Sequence, residues 1–340
     1  MSPAKAGARP SKGSQGPAGL DVSARLFDAD RDDRRVDVVA GIAKSIPDHC
    51  LLWVDATGED PAAAAELLDQ LGLASSAYAP IDADAKPLIE IHRDSFHLRV
   101  ATITTTRGRD ELTFLDVVAA KNVVLTAHPG PIPFLGEIDD RLKRDTTFGE
   151  IDSSGFVAVL LDGLVTTYLA TADALEAEVD RLDEDALKPS AQRDLLADLV
   201  HLRHRIAAVR RHLTDHREVF AAIARADFEE VSSEEAAVHL RAVADRFERA
   251  IEAVERTREA LVGTFDIHTT RTAQRTNDIV KVLTVVSVML LPTTVIAGIM
   301  GMNIKAPYSN DDPTIFWIVL ALIVTIAVST LAVLRLRRWL

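Results

Sequence analysis

Small and polar side chains recur at regular steps along one stretch near the end of the 340-residue chain. Alternating steps of four and three residues place them on one helical face, since a 3.5-residue repeat keeps a face toward a shared axis. The positions are Asp266, Thr270, Ala273, Asn277, Val280, Thr284, Ser287, Leu291, Thr294 and Gly298, among which Val280 and Leu291 are the larger apolar exceptions. Inside a bilayer, such side chains belong on a packed or water-lined surface rather than against lipid. Two interpretations stay open, a helix-packing seam and the wall of a pore, and the polar Asp266 and Asn277 favour the pore.

Two uncharged apolar segments predict a pair of membrane-spanning helices that would carry this face. The segments are 282–300 and 315–334, and about 20 apolar residues suffice to cross a bilayer as a helix. Segment 301–314 is then an outer loop, followed after the second span by a basic tail at 335–340. Basic residues flank the pair on both sides, so the positive-inside rule places both termini in the cytoplasm. We expect a multi-pass protein of the inner (plasma) membrane of a prokaryote.

Charge is distributed unevenly between the two parts of the chain. The formal net charge is −13; residues 279–340 carry +3, so the preceding 278 residues carry −16. An acidic chain without a basic stripe argues against a nucleic-acid partner. The lone Cys50 excludes a disulfide framework and a cysteine-rich zinc module. Residues 1–20, rich in Ser, Gly, Pro and Ala, predict a disordered tail rather than a secretory signal.

The rest of the soluble part predicts three segments. For residues 21–154 we predict an α/β domain with a mostly antiparallel sheet. Branched residues with partial alternation predict strands at Leu51–Ala56, Leu88–Thr104 and Leu112–Ala127, and Pro61–Leu71 predicts a helix. Residues 155–231 predict two cytoplasmic helices, Phe156–Leu187 and Ser190–Ala226. Residues 232–300 predict one long stalk and pore helix that opens at Ser232 or Ser233, with Glu234 and Glu235 in its first turn. A helix of that length requires bundling, within the chain or between subunits.

The residues around the end of the first span resemble the CorA family of divalent-cation channels. Gly301-Met302-Asn303 follows the first of two C-terminal spans, and the preceding residues match the family pattern at its spacing: Thr276-Asn277, Lys281-Val282-Leu283-Thr284, Pro292 and Ile296-Ala297-Gly298. The resemblance implies a funnel-shaped homopentamer in the lipid bilayer, an αββα-type cytoplasmic domain and a pore lined by the first span. It also implies transport of divalent cations, chiefly Mg²⁺, with Co²⁺ as a further cargo.

The resemblance also assigns roles to particular residues. Gly301, Met302 and Asn303 would form the selectivity filter, in which a ring of Asn303 carbonyls accepts hydrogen bonds from the waters of a hydrated Mg²⁺. Val280, Leu283 and Leu291 would form apolar constrictions, beside the polar wall of Asn277, Thr284, Ser287, Thr294 and Gly298. Intracellular Mg²⁺ would close the channel by binding to carboxylates between subunits. Ala242 occupies one position where such a carboxylate is common in the family, so Asp245 and Asp266 are the candidate Mg²⁺ ligands here.

Departures from the family pattern leave the metal open. Met300 and Ile304 stand where aromatic residues are usual, and the outer loop has Asp311 and Asp312 in place of a Met-Pro-Glu segment. A ZntB-like zinc transporter, or a cobalt or nickel transporter, of the same architecture is the alternative. The intact Gly301-Met302-Asn303 favours Mg²⁺.

Other features of the sequence could indicate a zinc site, an enzyme or a receptor, but the support for each is weaker than for a channel. His201, His204, His212 and His216 on one helix would suit zinc, but the surrounding arginines favour a solvated basic face that pairs with the acidic stretch Asp180–Asp185. We predict that His92 and His97 lie either at the surface or in the core with hydrogen-bond partners. No phosphate-binding glycine loop or nucleophile elbow is present, so we do not expect an enzyme. A membrane-anchored receptor or scaffold with a helical stalk is a further alternative, which has no need of a polar pore face.

Overall fold

A computed structural model describes residues 17, 19–28, 34–47, 49–73, 86–92, 95–106, 109–142, 152–187, 195–225, 228, 233–301 and 313–336. The chain forms two compact units, Met1–Val262 and Gly263–Leu340. Most of the predicted tail 1–20, the outer loop 301–314 and the basic tail 335–340 lies outside the described residues.

A mixed sheet forms the centre of the first unit. Its described strands are β1 (Asp21–Asp28), β2 (Arg34–Arg35), β3 (Cys50–Thr57), β4 (Leu88–His92), β5 (Ser95–Thr106), β6 (Arg109–Ala120) and β7 (Val123–His128). They lie in the order β2-β1-β3-β7-β6-β5-β4, and only the β3–β7 pair among them is parallel. The predicted α/β domain with a mostly antiparallel sheet is therefore confirmed.

Two of the predicted strand runs are each a pair of antiparallel strands. Leu88–Thr104 contains β4 and most of β5, which pair with Leu88 opposite Arg99. Leu112–Ala127 contains most of β6 and of β7, which pair with Ala120 opposite Val123. The chain reverses direction at two residues, Lys121 and Asn122, so the second run crosses a tight turn.

The described helices include the five predicted from the sequence and one further helix, α2, that was not predicted. They are α1 (Pro61–Leu71), α2 (Pro133–Leu142), α3 (Ser153–Leu187), α4 (Leu195–Ile223), α5 (Glu234–Met300) and α6 (Pro313–Leu336), with a 3₁₀ turn at Ile42–Ser45. Helix α1 begins after Asp60, whose carboxylate accepts from the Ala62 amide at 2.9 Å, and ends at Gly72, whose φ of 74° suits glycine. Helix α5 begins after Ser233, whose hydroxyl accepts from the Ala236 amide at 3.2 Å.

Helices cover both faces of the sheet. Because strand side chains alternate, consecutive residues of β3 enter different apolar clusters. Leu52 packs with Leu67 and Leu68 of α1, whereas Trp53 belongs to the larger cluster of α3, α4 and the beginning of α5. The first unit is thus a layered α/β structure with long helices on one side of the sheet.

Two of the described helices are long and apolar enough to cross a membrane, and they differ in burial. The apolar stretch of α3 is 61% buried, as expected for a core helix, whereas that of α5 is only 6% buried. Helix α6 contains a shorter apolar segment, Trp317–Thr330. Helix α5 includes the predicted span 282–300, and α6 includes the predicted span 315–334.

Candidate functional site

The predicted pore face lies on the part of α5 that belongs to the second unit. Every position of this face, from Asp266 to Gly298, is exposed. The three apolar positions proposed as constrictions leave much of their surface uncovered: 52% for Val280, 63% for Leu283 and 65% for Leu291. Large exposed aliphatic side chains beside polar ones indicate a surface that meets something other than the described part of this chain.

The opposite side of α5 is sheltered. Between residues 280 and 299 the half-buried positions are Lys281, Val285, Met289, Pro292, Thr293 and Ile296. At 3.6 residues per turn, their centre lies roughly 150° around the helix from the predicted pore face. Helix α6 has a sheltered face of its own, with half-buried Val319, Ile323, Ile326, Ala327 and Thr330. Within the described residues of one chain, the predicted pore face is therefore not a packing surface.

Two threonines on the face present acceptor oxygens. The Thr284 hydroxyl donates to the Val280 carbonyl at 2.8 Å, and the Thr294 hydroxyl donates to the Leu290 carbonyl at 2.8 Å. Each hydroxyl uses its single proton within the helix, so its oxygen keeps acceptor capacity. Water molecules, including those around a hydrated cation, are suitable donors to such oxygens.

The predicted filter is only partly described. The Gly301 amide donates to the Ala297 carbonyl at 2.9 Å, which extends the last turn of α5. Met302 and Asn303 lie outside the described residues, as do Asp311 and Asp312 of the outer loop.

The two candidate regulatory carboxylates, Asp245 and Asp266, are both exposed on α5, but Asp245 belongs to the first unit and Asp266 to the second. Ala242 lines a cavity of about 590 Å³ between α2, α3 and α5. In the same cavity the Arg246 guanidinium forms an ion pair with the Asp162 carboxylate. A guanidinium already neutralises this carboxylate, so Asp162 does not replace the negative charge that is missing at Ala242.

His216 corrects the prediction of a solvated basic face. Its side chain is buried; Nδ1 donates to the His212 carbonyl at 2.6 Å, and Nε2 accepts from the Ala101 amide at 2.8 Å. Burial lowers the pKa of His216 to about 4. Strand β4 pairs with β5 only as far as Arg99, so the Ala101 peptide lies beyond its reach. In place of a strand neighbour, His216 accepts from the amide of Ala101 and the Tyr168 hydroxyl donates to its carbonyl.

The neighbouring side chains of α4 divide between solvent and ion pairs. His201 and His204 are exposed, as predicted. Arg205 pairs with Asp110 at 3.1 Å and also with Glu178, rather than with a residue of Asp180–Asp185. Arg210 and Arg217 pair with Glu255 and Glu248 of α5, each at 2.9 Å. These contacts join α4 to its neighbours and give the basic residues a structural role.

His97 is a core residue, in agreement with the prediction. Its Nε2 lies 2.7 Å from Asp116 Oδ1, and the same oxygen accepts from Arg99 Nε at 2.7 Å. All three side chains are nearly fully buried. The spacing of His97 and Arg99 predicts that they share one face of β5, whereas the structure alone reveals that Asp116 of β6 lies opposite Arg99.

Comparison with known proteins identifies relatives along most of the chain. The model of the family "CorA-like Mg2+ transporter protein" matches residues 48–338. The cobalt/magnesium transport protein CorA of Methanocaldococcus jannaschii is 23% identical over 298 residues, which are 87% of this chain and 93% of that protein. The zinc transport protein ZntB of Pectobacterium atrosepticum is 21% identical over 243 residues, 72% of this chain and 73% of that protein.

A further relative and a solved structure agree. The cobalt/magnesium transport protein CorA of Thermotoga maritima is 27% identical over 186 residues, 53% of this chain and about half (51%) of that protein. The complete structure of the Methanocaldococcus jannaschii CorA magnesium transporter superposes with a TM-score of 0.78 at 21% identity and covers 94% of this chain and 98% of that one. The fold is therefore that of CorA proteins. Because the family model covers most of the sequence, the chain belongs to the CorA-like Mg²⁺ transporter family.

Proposed function

We propose that this chain assembles as a homopentameric channel that admits Mg²⁺ passively across the membrane. The observation that carries the proposal is the exposed face of α5. Most of its residues are small or polar in an otherwise apolar segment, and it lies opposite the sheltered side of the helix. If several copies of α5 surround a common axis, this face of each copy contacts the neighbouring copies and the water in the pore. Relatives named as cobalt/magnesium transport proteins support the same cargo.

The chemistry of the face suits a cation that keeps its hydration shell. Mg²⁺ loses water reluctantly and is usually bound with several waters in place. Thr284 and Thr294 have already donated their hydroxyl protons within the helix, so their oxygens accept from the waters of the ion. Carboxylates at these positions would hold the ion more tightly and slow its release.

The apolar positions act as the gate in this proposal. Rings of Val280, Leu283 and Leu291 narrow the pore, and a narrow apolar constriction closes by losing its water. Small movements of α5 would then change the wetting of the pore without breaking any polar contact.

Selectivity is assigned to the ring of Asn303, with Gly301 and Met302 shaping the turn that presents it. Asn303→Ala should abolish selective Mg²⁺ uptake into liposomes while the assembled protein remains intact. Asn310→Ala, in the same loop, is the matched control and should retain uptake. Unchanged uptake and ion preference in Asn303→Ala would refute the filter assignment.

Feedback by internal Mg²⁺ is the regulatory part of the proposal. The residues before 279 carry −16, so carboxylates such as Asp245 and Asp266 crowd together when several copies of α5 share an axis. A divalent cation relieves that repulsion and favours the closed packing. Protease cleavage of the first unit and Mg²⁺ currents should both fall as internal Mg²⁺ rises into the millimolar range. Indifference of both measurements to Mg²⁺ would refute the feedback.

A zinc, cobalt or nickel transporter is the second candidate, supported by the ZntB relative. Uptake of Mg²⁺, Co²⁺, Ni²⁺ and Zn²⁺ into the same liposomes separates the two. Mg²⁺ uptake that exceeds Zn²⁺ uptake favours the first proposal, and the reverse order favours the second.

A further inference from the structure

Three metal-ligating side chains of different chemistry meet at one end of the β1–β3 pair. Asp28 is the last residue of β1, and it lies opposite Cys50, the first residue of β3, with His49 immediately before Cys50. A carboxylate oxygen, an imidazole nitrogen and the thiol sulfur all lie within 4.8 Å of one another. The distance from His49 Nε2 to Asp28 Oδ1 is 4.0 Å. We propose that Asp28, His49 and Cys50 bind a transition-metal ion, Zn²⁺ or Co²⁺.

The site is held by the sheet and open to solvent on one side. Opposing residues of antiparallel strands have neighbouring Cβ atoms, so the pairing of β1 with β3 brings Asp28 and Cys50 together. Cys50 is 5% exposed and packs in an apolar cluster, and the Asp28 side chain is 10% exposed. The His49 side chain is 50% exposed, so an ion can enter from its side.

The donor set selects against the proposed cargo of the pore. Zn²⁺ accepts thiolate, imidazole and carboxylate together, and three protein ligands leave a fourth position for water. Tetrahedral coordination places ligand atoms roughly 3.4 Å apart. Side-chain rotations that move these atoms by about 1 Å would therefore bring them into coordination distance of one ion. Mg²⁺ demands hard oxygen ligands, and of the three clustered side chains only Asp28 supplies one. This site therefore distinguishes transition metals from Mg²⁺, and its existence is independent of the channel proposal.

A single thiol makes the proposal directly testable, because the chain contains one cysteine. The rate at which a thiol reagent labels Cys50 is measured on the full chain in detergent, after treatment with a chelator and again after metal addition. Metal coordination occupies the thiolate that reacts with the reagent, so one equivalent of Zn²⁺ should slow labelling at least about tenfold. Millimolar Mg²⁺ should leave the rate unchanged.

Substitution of the other two ligands identifies the site. Asp28→Asn and His49→Gln should each weaken protection by Zn²⁺, whereas His201→Gln, at an exposed histidine of α4, should retain it. As a direct readout of ligation, Co²⁺ should give a thiolate-to-cobalt charge-transfer band in the native chain that is absent in Cys50→Ser. Labelling that is indifferent to Zn²⁺, or protection that survives in both Asp28→Asn and His49→Gln, would overturn the proposal.

Discussion

Acidification should destabilise the first unit through a single buried histidine. His216 lies between α4 and β5, where Nε2 accepts from the Ala101 amide. Burial disfavours the charged imidazolium and lowers the pKa of His216 from 6.5 to about 4. Protonation of Nε2 would also place its N–H against the N–H of Ala101, so that two donors would face each other. In the unfolded chain the same side chain takes up a proton near pH 6.5.

The sign and size of the effect follow from linkage. Between pH 6.5 and 4 the unfolded state binds one more proton than the folded state, so the free energy of unfolding falls as the pH falls. The stabilisation is fully present above pH 6.5 and is lost progressively down to the folded pKa of about 4. For these pKa values, His216 accounts for a loss of about 2 kcal/mol between pH 7 and pH 5, and of about 3 kcal/mol by pH 4.

Urea unfolding of the full chain in detergent measures this loss. Trp53 is buried in the first unit, and its fluorescence reports unfolding there once Trp317→Phe and Trp339→Phe remove the other indoles. His216→Gln should flatten the pH dependence by about 2 kcal/mol between pH 7 and 5. His201→Gln, an exposed site on the same helix, should leave the curve unchanged. If His216→Gln loses as much stability on acidification as its parent, the reasoning is wrong.

Two further predictions concern packing and charge in the first unit. Gly163→Ala should destabilise it by about 1–3 kcal/mol in the same urea assay, because the new Cβ would lie 3.0 Å from a ring carbon of Phe134. Gly136→Ala should instead stabilise α2 by about 0.5–1 kcal/mol, because no atom of the described residues lies within 4 Å of its new Cβ. Arg205→Met should cost about 1–3 kcal/mol, because Asp110 and Glu178 lose a shared partner, whereas Arg217→Met, at an exposed pair with Glu248, should cost less than about 1 kcal/mol. Equal costs for the two arginines would contradict the second prediction.

Local signals explain which elements could be predicted from the sequence. Helix α1 has its bounds specified by Pro61 at the first position and by an alanine- and leucine-rich interior, and α5 begins where serine precedes two glutamates. The membrane segments follow from composition alone. The turn inside the second strand run was missed because apolar residues stand on both sides of Lys121 and Asn122, without the glycine or proline that marks most turns.

The role of His216 required the tertiary structure, although a signal was present. His216 continues the apolar spacing of Leu202, Ile206, Val209, Leu213 and Phe220, all of which are buried. That spacing predicts burial, but it cannot reveal that the partner is the Ala101 peptide, more than a hundred residues away. The positions of the predicted pore face follow from the repeat along α5, and the structure adds that the opposite side of the helix is the sheltered one.

The central claim is that the exposed face of α5 lines the path of Mg²⁺. The most direct measurement is Mg²⁺ flux into liposomes that contain the Cys50→Ser chain with one added cysteine, before and after a charged thiol reagent. Ser287→Cys lies on the proposed pore face, and Val285→Cys lies on the sheltered side. The account predicts flux that the reagent blocks for Ser287→Cys and leaves unchanged for Val285→Cys. Flux that responds equally at both positions, or no Mg²⁺ flux before modification, would contradict it.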